Sequence, residues 1–208
     1  MERQEDPGTG ESRPRPDEEA HTAAFRDLMS KFPTGVSVVT AVDTKGAPQG
    51  ATCSSLSSVT LSPPTLLVCL RTGGVTLEAV RETGRFAVNL LHEDAERAAK
   101  VFAAPFVDRF AEVPWQTWLP SGLPHLHRDA FACADCRVAA ELLIGDHVIV
   151  VGTVSHITMS GGMPLMYGMR RFLSWAAPDA LGHERLPCTG QQADGVAVRA
   201  GLAVPDGD

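Results

Sequence analysis

At 208 residues the chain can hold one domain with a sizeable core and is too short for two comfortable ones. Its formal charge of −7 sits in the ends: residues 1–20 carry seven acids and three arginines, residues 21–175 thirteen charges of each sign, and residues 176–208 five acids and two arginines. A neutral body excludes the basic stripe of a nucleic-acid binder, and no apolar run approaches the ~18 residues that a membrane span requires. No apolar signal segment follows Met1, so a cytoplasmic location is expected, with the five cysteines reduced.

Residues 1–20 hold almost nothing apolar and are expected to be a disordered acidic tail. Ala23 to Phe32 places Phe25, Leu28, Met29 and Phe32 at helical spacing, ahead of Pro33. Gly35 to Val42 is β-branched and reads as a strand, and Ala51 to Val59 as a second. After Ser62-Pro63-Pro64, the run Thr65 to Leu70 reads as a third strand, buried on both faces. Thr76 to Glu82 reads as a short helix capped by Thr76 and ended by Gly84. Phe86 to Leu90 reads as a strand and Glu93 to Phe102 as a helix. A loop rich in aromatics follows. Ala132 to Leu143 and His147 to Ser155 then form a strand pair around Ile144-Gly145-Asp146. The body is therefore expected over residues 21–175, mainly β, with antiparallel strands and short flanking helices. Residues 176–208, rich in Gly, Pro and Asp, are expected to be a loose tail.

No Gly-x-Gly-x-x-Gly turn, P-loop or Gly-x-Ser-x-Gly elbow is present, so ligands must be held in another way. The most informative stretch is Gly50 to Leu70, whose first half carries Thr52, Ser54, Ser55, Ser57, Ser58 and Thr60 beside a strand end. Small donors in that number suit a polar, multiply hydrogen-bonding ligand such as a nucleotide, although Ser and Thr also fill ordinary turns. Arg71 to Thr76 lies between a strand and a helix start, where backbone N–H groups could receive a phosphate or Thr76 could merely cap the helix. Arg109-Phe110 either clamps a ligand or packs its loop down. Asp146 and His147 either project working groups from a hairpin or only serve the turn. Cys133 and Cys136 have redox or zinc spacing, yet in a strand their sulfurs diverge. His125 and His127 lack a third ligand and read as surface histidines. No metal site is expected.

Five ordered segments carry a resemblance: Phe32-Pro-Thr-Gly-Val-Ser-Val-Val-Thr40, Gly50-Ala-Thr-Cys-Ser-Ser55 continuing to Ser58-Val-Thr-Leu-Ser-Pro-Pro64, Gly84-Arg-Phe-Ala-Val-Asn-Leu-Leu91, Asp108-Arg-Phe110, and Gly145-Asp-His147. In this order and spacing, over about residues 22–173, the chain resembles the flavin reductase-like, FMN-binding split-barrel family. The resemblance implies a six-stranded antiparallel Greek-key split barrel that forms a homodimer, with a flavin groove near the subunit interface. It also implies an NAD(P)H-dependent flavin reductase, which oxidises NADH or NADPH and passes reduced FMN or FAD by diffusion to a separate flavin-dependent monooxygenase. Thr52, Cys53, Ser54 and Ser55 would then contact the ring and ribityl chain, Arg71 to Thr76 the phosphate, and His147, the catalytic candidate, would lie near flavin and nicotinamide. Thr34, Ser58, Asn89, Arg109, Phe110 and Arg171 complete the expected cofactor-binding set. The chain departs from the family pattern at Gly74, where a Ser is common, and at Arg170-Arg-Phe172, where Gly-Arg-Tyr is common. An oxidase or oxygenase that keeps its flavin, or a non-catalytic flavin or haem binder, are the alternatives on the same barrel.

Overall fold

The computed structural model describes residues 16–105 and 107–175. The expectations for residues 1–15 and 176–208 fall outside the described residues. Helix α1 (Pro16–Ser30) begins at a proline followed by Asp17, Glu18 and Glu19, a residue order that suits a helix N-terminus on both conformational and dipole grounds. It thus reaches into the segment expected to lack structure. Phe25, Leu28 and Met29 all stay exposed, at 57%, 63% and 46%.

The strands follow as β1 (Thr34–Gly35), β2 (Ser37–Val42), β3 (Pro48–Cys53), β4 (Ser57–Leu61) and β5 (Pro64–Arg71). Next come α2 (Val75–Thr83), β6 (Arg85–Leu91), α3 (Glu96–Ala103) and the short α4 (Arg109–Glu112). The last elements are β7 (Gln116–Trp118), β8 (Leu123–His125), β9 (Ala130–Ile144), β10 (His147–Met159), β11 (Leu165–Gly168) and β12 (Arg171–Ser174). All strand pairs are antiparallel, and the main sheet runs β3-β2-β6-β9-β10-β5-β4. A three-stranded sheet, β1-β11-β12, and the hairpin β7-β8 stand beside it.

The expected count of six strands is corrected to seven in a sheet whose hydrogen bonding is not closed. The reason lies at Ser54–Leu56, which breaks the single strand expected over Ala51 to Val59. Its second half turns back onto β5 as β4. β5 is not the strand buried on both faces, because only exposed β4 lies beyond it. That role belongs to β2 and β6 in the middle of the sheet. The expected cap at Thr76 is also corrected. α2 starts after Gly74 with no side-chain cap, and Thr76 is buried in the first turn.

Two cores sandwich the middle strands. The inner core joins Val39 of β2, Val68 and Leu70 of β5, Phe86 of β6, and Val148 and Val150 of β10 around Leu77 and Val80 of α2. β2 and β5 sit far apart in the strand order yet share this core, so the sheet curls around the helix. Gly152 makes the curl possible: a Cβ there would stand 2.5 Å from the Phe86 ring. The outer core packs Val36, Val38, Leu91, Leu126 and Leu165 against Ala98, Ala99 and Phe102 of α3. Phe86 and Phe102 are each essentially inaccessible, and truncating a ring so enclosed costs about 3–5 kcal/mol.

Candidate functional site

The edge strand β3 ends where the hydroxyl-rich segment begins, and local hydrogen bonds give its hydroxyls distinct jobs. Thr52 Oγ1 donates to the Ala99 carbonyl of α3 at 2.6 Å, which leaves its oxygen lone pairs as acceptors. Ser55 Oγ receives the Cys69 N–H of β5 at 2.9 Å, so it bridges the open seam between β3 and β5. Ser54, between them, is exposed and makes no hydrogen bond among the described residues. Its side chain is a free donor.

Three adjoining clefts meet at Ser54. The largest, about 1010 Å³, lies between α1 and the β3–β4 connection and is lined by Arg26, Phe32, Thr34, Ser54, Tyr167 and Arg170 among others. A second, about 430 Å³, includes Thr52, Ser54, Lys100, Tyr167 and Phe172. A third, about 290 Å³, includes Thr34, Ser37, Ser54 and Leu56. Ligand sites usually fall within about 300–1,000 Å³, so the groove has room for a dinucleotide-sized partner. Lys100 pairs with Glu96 at 2.5 Å and stands 5.8 Å from the Phe172 ring centre. The tip of the β11–β12 hairpin is set by Met169 and Arg170, with φ of 51° and 60°, the left-handed pair that suits a two-residue turn. Met169 N–H also donates to Ser30 O at 2.6 Å, which ties that tip to the end of α1.

A second group forms at the other end of β5. His147 is the cross-strand partner of Arg71, and Thr72 N–H and Oγ1 both donate to Asp146 O, at 2.9 and 3.1 Å. His147 Nδ1 lies 2.8 Å from Asp146 Oδ1, and this hydrogen bond holds the Asp146 carboxyl below its usual range. The bond engages Nδ1 and leaves Nε2 without a partner among the described residues, on a half-exposed side chain. Arg71 follows Cys69, the partner of Ser55, by two residues. The Arg71–His147 group is therefore about 7 Å further along the same strand than the hydroxyl bridge.

The structure thus gathers Thr34, Thr52, Ser54 and Ser55 at one groove, and Arg71 and His147 at a neighbouring position. Other expected residues fall elsewhere. Cys53 is buried beside Ser55, with Sγ and Oγ 3.1 Å apart. Ser58 is exposed on β4 and Arg171 on β12, and neither lines the three clefts. Thr76 is buried in the first turn of α2. Asn89 is fully buried and its amide is spent inside the protein. Arg109 donates to Gly50 O at 3.0 Å and Ala104 O at 2.8 Å, while Phe110 stacks edge-on to Phe102 and Trp115. Of the two readings of Arg109-Phe110, loop packing is what the contacts describe. The pair presses on Gly50, where a Cβ would come within 2.7 Å of Phe102 and 3.2 Å of Phe110, and so aims β3 at the groove.

His125 is not a surface histidine: it is 3% exposed and bonded to Asp135, because β8 lies over the outer face of the sheet. His127 is exposed. Cys133 belongs to the outer core and Cys136 to the inner one, on opposite faces of β9. Burial raises their thiols to about 11 and about 12. At pH 8 at most about one part in a thousand would be thiolate, so iodoacetamide is expected to spare both in the native protein and label them after denaturation. Peptide mapping checks this, and native labelling at either position would contradict it. Arg170 and Phe172, where the chain departs from the family pattern, line the groove. Tyr167, Lys100 and Arg26 are groove residues that sequence reasoning missed. Only the rarity of tyrosine and lysine in this chain set two of them apart.

A family model for the flavin reductase like domain matches residues 29–176. The chain belongs to this family. It is 52% identical over 161 residues to a flavin reductase (NADPH) of Lentzea aerocolonigenes, covering 77% of this chain and 94% of that one. A flavin reductase (NADH) of Kitasatospora aureofaciens is 43% identical over 157 residues, covering 73% and 80%. Among solved structures, the Streptomyces globisporus C-1027 NADH:FAD oxidoreductase in complex with NAD and FAD fragments superposes with a TM-score of 0.71 at 34% identity, covering 77% of this chain and 96% of that one. The family member described here is thus similar to proteins that bear both nicotinamide names.

Proposed function

We propose that this chain is an NAD(P)H-dependent flavin reductase whose product, reduced FMN or FAD, is handed to a separate flavin-dependent monooxygenase. The single observation that carries the reading is the groove at Ser54, a free hydroxyl at the meeting of three clefts, in a chain 52% identical to a flavin reductase. Hydride passes from nicotinamide to flavin N5, and this chemistry belongs to the two bound nucleotides. What the protein must supply is placement and polarity. Ser54 donates to the ring edge, Thr52 offers its oxygen as an acceptor, and Ser55 holds both in place through β5 instead of contacting ligand. Tyr167 and Phe172, edge-on at 5.1 Å, give the groove an apolar wall against which a flat ring can lie. Arg26 and Arg170 bring positive charge to the largest cleft, where a phosphate would sit.

The working unit is a homodimer in the cytoplasm. The open apolar row of Phe25, Leu28, Met29 and Phe32 beside the groove supports a second copy there, which would also close the split barrel around the flavin. His147, with Nδ1 held by Asp146, orients the nicotinamide through Nε2 and is not an obligatory acid. His147→Ala is therefore expected to raise KM for the nicotinamide nucleotide by about tenfold, the worth of one hydrogen bond, with kcat little changed. Lost turnover with retained affinities would contradict this role.

The purified chain should oxidise NADPH or NADH only when FMN or FAD is added, and gel filtration should strip bound flavin from it. No nicotinamide oxidation with any of the four pairs would refute the reading. A flavin that stays bound through the column would instead indicate a protein that keeps its cofactor.

A further inference from the structure

A second polar centre lies between the outer face of β9 and the β7–β8 hairpin. His125 Nε2 is 2.7 Å from Asp135 Oδ1, and the two residues are 3% and 2% exposed. The indole of Trp118 lies parallel to His125 at 5.4 Å and stacks on His156 at 5.5 Å. Asp135 therefore has one carboxylate oxygen engaged, while the other, Oδ2, is buried with no partner. A buried carboxylate oxygen without a donor is expensive, and a bound donor would relieve that cost; the Trp118 Nε1–H nearby is likewise buried without a partner.

Asp135 also lines a cleft of about 240 Å³ together with Arg85, Arg137, Ser121, Ser155 and His156. Arg85 and Arg137 are direct cross-strand partners on β6 and β9. Like charges in that register repel, and an anion between them would relieve the repulsion. Arg85 gives one hydrogen bond, from Nη1 to Ser121 O at 3.1 Å, and Arg137 has no hydrogen bond or ion pair among the described residues. Two cations without a counterion thus share a cleft with one carboxylate oxygen without a donor. A simple anion would answer only the first need and a simple cation only the second. None of the hydroxyl-groove residues lines this cleft.

We propose that this cleft binds a small organic carboxylate that carries an adjacent hydroxyl or ammonium group, with the carboxylate between Arg85 and Arg137 and the donor on Asp135 Oδ2. The volume falls below the ~300 Å³ where drug-sized sites begin, which favours a small ligand. Trp118 reports on occupancy because its ring stacks on His156, which lines the cleft.

Lactate, alanine and propionate share one carbon skeleton and differ only in the donor, so calorimetric titration of the full chain with the three is the test, with tryptophan fluorescence as a parallel readout. Lactate or alanine should bind at least about tenfold more tightly than propionate, the worth of a hydrogen bond to a charged acceptor. Arg137→Gln, an exposed change, should weaken that binding at least about tenfold while leaving KM for flavin unmoved. Asp135→Asn should erase the preference over propionate, and if that variant fails to fold, Arg137→Gln carries the test alone. Equal binding of propionate, tighter binding of inorganic phosphate, no binding of any probe, or indifference to Arg137→Gln would each overturn the proposal.

Discussion

Asn89→Ala is expected to lower the stability of the protein by about 3–4 kcal/mol, seen as a fall in Tm of roughly 10 °C, while flavin affinity of the folded protein stays unchanged. The side chain is wholly buried on the outer-core side of β6 and works as a four-way connector. Its Nδ2 donates to Val38 O and Thr40 Oγ1, both at 3.1 Å. Its Oδ1 accepts from Leu126 N at 2.9 Å and from Cys133 Sγ at 3.3 Å. Truncation leaves the Leu126 N–H buried without an acceptor at about 1–3 kcal/mol, and opens a small void that adds the rest. Thr40 suffers less, because its hydroxyl still donates to Pro124 O at 2.6 Å. The loss is large against a total stability of about 5–15 kcal/mol. Thermal unfolding and flavin titration together decide the matter. An Asn89→Ala protein as stable as the parent but weakened in flavin binding would put Asn89 at the ligand.

Asn89 also shows what the sequence could and could not reveal. The short apolar run Phe86 to Leu90 was enough to place a strand there, and β-branched runs, turn residues and helix-end residues likewise located β2, β9, β10, α2 and α3 to within a few residues. A family motif marks Asn89, but it cannot say whether the residue faces a ligand or an interior hydrogen-bond network. The same limit holds for Arg109 and Phe110, whose contacts are with Gly50, Ala104, Phe102 and Trp115. The split of Ala51 to Val59 into two strands was hidden because Ser54–Leu56 contains no Gly or Pro. Its bend is set by a tertiary bond, Cys69 N–H to Ser55 Oγ. His125 was misjudged for a related reason: its burial depends on β8 folding over β9, a contact with no local signature. Hydroxyl-rich composition did identify the groove segment, whereas Tyr167, Phe172 and Lys100 arrive there from elements remote in sequence.

Ser54 and Ser55 should separate binding from stability when each is changed alone. Ser54→Leu is expected to raise KM for flavin about 10- to 100-fold with no loss of Tm, since the new side chain occupies the point where three clefts join. Ser54→Ala, which removes only the free hydroxyl, should cost about two- to tenfold in the same constant. Ser55→Ala should act in the opposite sense. It takes the acceptor from Cys69 N–H and loosens the join between β3 and β5, so about 1–2 kcal/mol of stability goes first. Flavin affinity would follow only as far as the seam yields. The contrast arises because two adjacent hydroxyls in a bent segment point to different places, one into open space and one into the backbone of β5. Steady-state kinetics with varied flavin and a melting curve on each variant measure both arms. A Ser54→Leu protein with the parent's KM for both FMN and FAD would show that the flavin lies elsewhere. In that event the Arg71–His147 end of β5 would have to hold it without help from the hydroxyl groove.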